Sequence, residues 1–256
     1  MHIVVTNDDG VVAPGLLALA NEMKKIGSVS ILAPDRNWSA SGHVRTIDRP
    51  LRVRDVILPD GTTAQACDGA PSDCVALALC GFFSEPVDLV VSGINPFANI
   101  GDDVTYSGTV TAAMEAVIGG LPAVAVSVDS LDNHLGIVDY QTAAGFALKI
   151  TQALLKKSLP GGLLLNVNVP YVPMEEIKGI RVTRQGNRVY HDRLDKRVDP
   201  RGKPYYWAIG DPPTAHAEPG TDAEALLNKF VSVTPIQLDL TAYRFLPEMN
   251  SWSWEE

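Results

Sequence analysis

The sequence predicts an α/β fold built on a mostly parallel sheet with helices on both faces, and three observations predict it. Short, nearly continuous runs of Val, Ile and Leu recur at residues 2–6, 29–33, 87–92, 123–128 and 163–169, as expected of strands buried on both faces. Segments with helical spacing lie between these runs. Polar loops follow several of the strands, at the carboxyl edge where such sheets gather their functional groups.

Residues 1–6, Met1-His2-Ile3-Val4-Val5-Thr6, read directly as a strand and not as a secretory signal, so a cytoplasmic protein is expected. A helix over 15–26 opens after Pro14 and places Leu16, Ala20 and Met23 on one face. Residues 44–66 read as extended segments turned at Asp60-Gly61, a β-hairpin insertion beside the sheet. Helices are predicted over 71–82, over 108–118 with Ser107 as its cap, and over 138–157, ending before Pro160-Gly161-Gly162. From 186 to 222 the apolar periodicity gives way to Arg, Asp, Pro, Gly and Tyr, with Pro212-Pro213 midway. The α/β catalytic core is therefore assigned to 1–185 and a C-terminal extension to 186–256. Within the extension, 222–229 reads as a short helix and 230–240 as extended, with Pro235 expected to interrupt pairing. A segment with so little core of its own is expected to embrace either its own core or a partner subunit.

Composition narrows the function classes. The 256 residues suffice for one domain with elaborations. With 46% hydrophobic and 20% charged residues and no apolar run long enough to cross a bilayer, the chain reads as globular, with no membrane span. A net charge of -9 repels long nucleic acid, whereas a small phosphate ester stays compatible because a bound cation outweighs the surrounding charge locally. Cys67, Cys74 and Cys80 form no C-x-x-C pair and are odd in number, which argues against a disulfide framework. Cys74 and Cys80 are expected to be core thiols.

Three loops carry candidate chemistry: Asn7-Asp8-Asp9-Gly10, the run from Pro34 through Ser39 to His43, and Ser92-Gly93-Ile94-Asn95 leading to Ser107-Gly108-Thr109. Adjacent carboxylates at a strand end repel each other unless a cation or a proton relieves them, so a hard metal explains Asp8 and Asp9. A plain Asp-Gly turn is the alternative, which the tetrapeptide alone leaves open. Asp8, Asp9, Ser39 and Asn95 all offer oxygen, the donor that suits Mg²⁺, Mn²⁺ or Ca²⁺. His2, His43, His134, His191 and His216 lack H-x-x-x-H spacing, so no zinc-protease-like site is expected. They read as structural or surface residues, with His43 near enough to Ser39 to support it. Ser107-Gly108-Thr109, at a predicted helix start, offers hydroxyls and N–H groups to a phosphate, and an ordinary N-cap is the bland alternative.

Taken in order, Thr6-Asn7-Asp8-Asp9-Gly10, Ala33-Pro34-Asp35-Arg36-Asn37, Asp68-Gly69-Ala70-Pro71-Ser72-Asp73, Ser92-Gly93-Ile94-Asn95 and Tyr106-Ser107-Gly108-Thr109-Val110 resemble the survival protein E (SurE) family of metal-dependent 5′/3′-nucleotidases. Leu165-Asn166-Val167-Asn168-Val169-Pro170, Asp199-Pro200-Arg201-Gly202 and Ser232-Val233-Thr234-Pro235 continue the likeness over nearly the whole chain. The resemblance implies a Rossmann-like core, an extension exchanged between subunits of a homodimer or homotetramer, and phosphate removal from nucleoside monophosphates. It implies one divalent cation per subunit, Mg²⁺ or Mn²⁺, held by Asp8, Asp9, Ser39 and Asn95, with Ser107, Gly108 and Thr109 beside the substrate phosphate. Exopolyphosphatase activity is a possible addition. Phe97 stands where the family pattern has glycine, and Thr111 and Ala116 replace smaller residues; all three are expected to fill the pocket mouth.

On this reading Asp8 or Asp9 accepts a proton from the attacking water, and Ser39, Asn95 and the helix start steady the phosphoryl charge. A haloacid-dehalogenase-type aspartyl-phosphate phosphatase would need its nucleophile where this chain has Asn7. A Mg²⁺-binding receiver module would need an acceptor aspartate where Ser92-Gly93-Ile94-Asn95 runs. A dinucleotide-binding dehydrogenase would need G-x-G-x-x-G after the first strand.

Overall fold

The structure is a computed structural model that describes residues 1–130, 138–157, 162–211 and 213–254. In chain order its strands are β1 (His2–Thr6), β2 (Ser28–Pro34), β3 (Val53–Ile57), β4 (Thr63–Cys67), β5 (Leu89–Asn95), β6 (Ala123–Asp129), β7 (Leu163–Pro170), β8 (Ile180–Val182), β9 (Arg188–Val189), β10 (Arg193–Val198), β11 (Pro204–Ile209), β12 (Thr214–Ala215) and β13 (Val231–Gln237). Its α-helices are α1 (Pro14–Met23), α2 (Pro71–Leu77), α3 (Gly108–Ile118), α4 (Gln141–Lys156), α5 (Asp222–Leu227) and α6 (Leu246–Met249).

One nine-stranded sheet runs β3-β4-β2-β1-β5-β6-β7-β13-β8, parallel from β4 through β7. The fold is thus a Rossmann-like α/β sheet. After β1 the chain first builds outward through β2, then returns to the other side of β1 for β5. The strand order reverses there, opening a crevice at the carboxyl ends of β1 and β5.

Side-chain alternation in the strands builds two cores. Ile3, Val5, Leu89, Val91, Val124 and Val126 join the layer packed by α1 and α4, while Val4, Val90, Ala123 and Ala125 join the layer packed by α2 and α3. Each large side chain fully buried in this way contributes roughly 1.5–3 kcal/mol of hydrophobic stabilisation, which explains why the strands read as continuous apolar runs.

Several details differ from the sequence reading. The helix expected over 71–82 is α-helical only to Leu77; a wider π-type turn follows over Ala78–Phe82, with Gly81 leaving helical geometry at φ +90°. Cys80 lies on that turn and is exposed, whereas Cys67 and Cys74 are buried. Pro235 does not interrupt pairing, because β13 runs unbroken beside β7. Val231 and Val233 direct their backbone groups toward the β8 side, and Pro235, two residues on, faces the same way beyond the end of β8, where no strand needs its missing N–H. β8 and β13 both belong to the main sheet, so the chain beyond 186, through β13, supplies core as well as extension. Between them, β10 and β11 form a separate two-stranded hairpin, and β9 pairs with β12. The breaker residues Pro160 and Gly161, together with Pro212 and His134, lie outside the described residues. No helix among the described residues is long and apolar enough to cross a membrane.

Gly15 shows how tightly α1 meets the crevice. A Cβ there would lie 2.4 Å from the Ile94 carbonyl oxygen and 3.1 Å from the Tyr140 ring. An alanine for glycine within a helix ordinarily stabilises by about 0.5–1 kcal/mol. Gly15→Ala should do the opposite and lower the thermal midpoint by roughly 4 °C or more, as a scanning calorimeter would record.

Candidate active site

Asn7 shapes the loop after β1. Fully buried, it accepts a hydrogen bond from the Gly10 amide at 3.2 Å and donates to the Gly10 carbonyl at 3.0 Å. Gly10 turns at φ +104°, and Val11 donates to the Pro34 carbonyl at 2.8 Å. Asn7 therefore closes the turn by itself, so neither carboxylate that follows is needed as a turn-former.

Asp8 faces the start of α3. Its carboxylate accepts a hydrogen bond of 2.5 Å from the Thr109 hydroxyl, and the Gly108 and Thr109 amides also favour its charge. Gly108 is required here, because a Cβ would fall 2.6 Å from the Asp8 Cβ. The Asp8 carbonyl also accepts a hydrogen bond from the Trp38 amide at 2.7 Å, which fixes the Ser39-bearing loop against the first loop. Burial nevertheless outweighs these bonds and holds the Asp8 carboxyl above its ordinary pKa.

Asp9 is half-buried, and its Oδ2 is buried with no hydrogen-bond partner among the described residues. Burial, and then the charge of Asp8, push its pKa up to about 7. The same enclosure raises the neighbouring Tyr140 phenol to about 12, by burial first and the Asp9 charge second.

Asp8, Ser39, Asn95 and Ser107 line one cavity of about 560 Å³. Asn95 donates its amide N–H to the Phe97 carbonyl at 2.5 Å, leaving its own side-chain oxygen as the donor available to a cation. Among the described residues no three His, Cys, Asp or Glu side chains gather to hold a metal. A cation here would therefore rest on two carboxylates and neutral oxygens, a donor set that fits a hard divalent ion and not zinc. The unpartnered Oδ2 of Asp9 is the atom that most needs such a partner.

Not every residue expected at the site reaches the cavity. Asp9, unlike Asp8, is not among the lining residues. Gly108 and Thr109 turn to Asp8, and of the 107–109 run only Ser107 reaches the cavity, where its hydroxyl also accepts the cap hydrogen bond from the Val110 amide. Phe97 is among the residues that line the cavity and is partly exposed. Thr111 and Ala116, however, are buried in α3: Thr111 donates to the Gly42 carbonyl at 3.0 Å, and Ala116 packs in the core. His43 bonds Glu115 at 2.8 Å, and Arg45 bonds both Glu115 and Asp73, so His43 secures the Ser39-bearing loop to α3 from outside the site. The contacts with His43 and Arg45 lower the Glu115 pKa against the opposing effect of burial.

Sequence reading missed the opposite wall of the cavity. Asp103, Tyr106, Arg188 and Tyr190 line it, and Arg188 and Tyr190 arrive from the aperiodic segment beyond 185. It also missed the anchoring of the loop after Asn95. The Asn99 amide donates to the Asn168 side chain, and Asn166 and Asn168 both donate to the Asn99 carbonyl. The available signal was two asparagines at i and i+2 in an otherwise apolar strand, which place two amides on one buried face. A separate cleft of about 380 Å³ at the ends of β6 and β7 is lined mainly by apolar residues and carries Asp139 as its one carboxylate among the described residues.

With this geometry in place, the family described as Survival protein SurE matches residues 3–192. This chain belongs to the SurE family. The curated "5'-nucleotidase SurE" of Chloroflexus aggregans is 49% identical over 255 residues, covering 100% of both chains. The protein of the same name from Geobacter sulfurreducens is 46% identical, covering 98% of this chain and 94% of its own. The crystal structure of a SurE protein from Aquifex aeolicus superposes with a TM-score of 0.81 at 41% identity, covering 98% of each chain. The Rossmann-like α/β arrangement is thus that of a SurE fold.

The carboxylates make SurE stability depend on pH in an unusual direction. In metal-free protein Asp9 holds its proton up to about pH 7, whereas an ordinary aspartate loses it near 3.8. Between these values the folded state binds more protons than the unfolded state, so stability should fall as pH rises. In chelator, Asp9→Asn should flatten this slope and unfold several degrees above the parent at pH 8, as thermal melts across pH 4–8 would show.

Proposed function

We propose that this SurE protein is a 5′-nucleotidase that hydrolyses nucleoside monophosphates with one Mg²⁺ or Mn²⁺ per subunit, held by Asp8, Asp9, Ser39 and Asn95. The observation that carries this reading is the partnerless, buried oxygen of Asp9 beside Asp8 at the sheet's switch point. The names of the curated relatives support it. Bound there, the cation would polarise a phosphoryl oxygen and make water a better nucleophile.

The chain's own groups then divide the work. Thr109 and the start of α3 hold Asp8 in one orientation. Asp8 or Asp9, through an oxygen the cation leaves free, takes the proton that the attacking water gives up. Ser39, Asn95 and the Ser107 hydroxyl orient the phosphoryl oxygens. Because Asp8 is already engaged by Thr109, direct attack by water is favoured over an aspartyl-phosphate intermediate.

A panel of nucleoside 5′- and 3′-monophosphates and short polyphosphate, assayed with Mg²⁺, Mn²⁺ or chelator, tests the proposal. Turnover of 5′-monophosphates should require the cation, and Asp8→Asn should lower kcat/KM by at least about a hundredfold. Activity that survives both chelation and the substitution would reject it.

We further propose a homodimer or homotetramer, with the extension from 186 acting as an oligomerisation arm. On the β10–β11 hairpin, Leu194, Val198, Tyr206, Trp207 and Ile209 are all exposed, and they occupy both faces. A lone two-stranded hairpin is marginal in water, so this one calls for a covering surface. Leu194→Asp combined with Trp207→Asp should reduce the mass found by analytical ultracentrifugation; an unchanged mass would count against the arm.

A further inference from the structure

We propose that Asn168 is a positioning residue for the cation site: it grips Asn99, and through the segment 96–99 it sets where the Asn95 side chain points. The role rests on the reading of Asn95 as a cation ligand, and deepens it by naming what holds that ligand in place. Asn168 is not among the residues that line the cavity, so it acts through others.

The need for such a support starts in the sheet. The register of β5 against β6 shifts between Ser92 and Asn95, after which Asn95 comes level with Ser127, itself level with Asn168 on β7. A strand that has just slipped draws little definition for its last residue from the ladder alone. The Asn95 side chain is oriented instead by its bond to the Phe97 carbonyl, so its direction follows the path of the chain beyond β5. That path is held at two points. The Pro96 carbonyl accepts from the Ser130 amide at 3.2 Å. Asn99 is held more fully: its amide donates to Asn168 Oδ1 at 2.8 Å, its carbonyl accepts from Asn166 Nδ2 at 2.8 Å and Asn168 Nδ2 at 3.1 Å, and its own Nδ2 donates to the Ser127 hydroxyl at 2.8 Å.

The chemistry of the support suits placement better than packing. An Asn side chain carries an acceptor and a donor side by side, so Asn168 takes the N–H and the C=O of one residue together and fixes the orientation of that peptide segment. Asn166 and Asn168 are both fully buried, level with Thr234 and Ser232 on β13. The Asn166 side-chain oxygen has no partner among the described residues. A buried amide with an unmet oxygen costs stability, whereas apolar pairs in the same places would not. What the two asparagines supply in return is a defined position for Asn99. Groups that orient a metal ligand from behind set metal affinity strongly when they are lost.

The test measures Mn²⁺ affinity by calorimetry on the parent, Asn168→Ala, Asn95→Ala and the double variant, each checked for folding by a thermal melt. Asn168→Ala should weaken Mn²⁺ binding about tenfold. Because Asn168 acts through Asn95, adding Asn168→Ala to Asn95→Ala should change the affinity by less than about twofold. An affinity within about threefold of the parent in folded Asn168→Ala, or a larger further loss in the double variant, would overturn the role. Should Asn168→Ala fail to fold, Ser127→Ala, which deletes one bond to Asn99 with little change in volume, takes its place: Mn²⁺ binding about threefold weaker supports the role, and unchanged binding contradicts it. A parent that binds no Mn²⁺ would sink the cation reading itself, and the positioning role with it.

Discussion

The Asp8 carboxylate lies against the first turn of α3, and most of the site's geometry is set by that contact. Thr109 donates to its side chain, Gly108 leaves room for it, and its carbonyl receives the Trp38 amide, so three strand-end loops are fixed relative to one aspartate. A negative side chain at a helix start gains about 0.3–2 kcal/mol. Removing a carboxylate from water costs several kcal/mol, which is why the Asp8 pKa ends up raised despite its donors. With Asp9 adjacent and one of its oxygens unpartnered, the loop holds more negative charge than its own hydrogen bonds neutralise. A divalent ion bound there would resolve this imbalance.

Around this pair lies a layer that fixes positions without touching the carboxylates. Asn166 and Asn168 hold the loop beyond Asn95 to the edge of the sheet, and Glu115 ties His43 and Arg45, and through them the Ser39-bearing loop, to α3. Asp222 does the same for the extension. Asn166, Asn168, Glu115 and Asp222 are buried and bonded to defined partners, so each sets a distance as well as adding stability. The SurE cavity is consequently an assembly of loops from both halves of the chain.

Much of this was legible in the sequence, because strands buried on both faces must be apolar throughout, and such runs stand out. β1 and α3 fall where their patterns place them, and the three loops carrying Asp8, Ser39, Asn95 and Ser107 meet at one edge as a parallel sheet requires. The far wall was not legible. Arg188 and Tyr190 come from a segment without periodicity, and their place depends on long-range bonds to Asp103 and Asp222 that leave no local pattern. The contact of Gly108 and Thr109 with Asp8 was not legible either: a helix start favours phosphate and carboxylate alike, and the fold is what brings Asp8 against it. Pro235 misled because its effect depends on which neighbour its nitrogen faces, a matter of sheet edge and not of sequence.

The account's central claim is that a divalent ion relieves the Asp8–Asp9 pair, and anomalous scattering from crystals grown with saturating Mn²⁺ tests it most directly. The account predicts a single strong peak per subunit within bonding reach of oxygens from Asp8, Asp9 and Asn95. Crystals in which these oxygens remain free of any peak, or in which the ion binds elsewhere in the subunit, would contradict it.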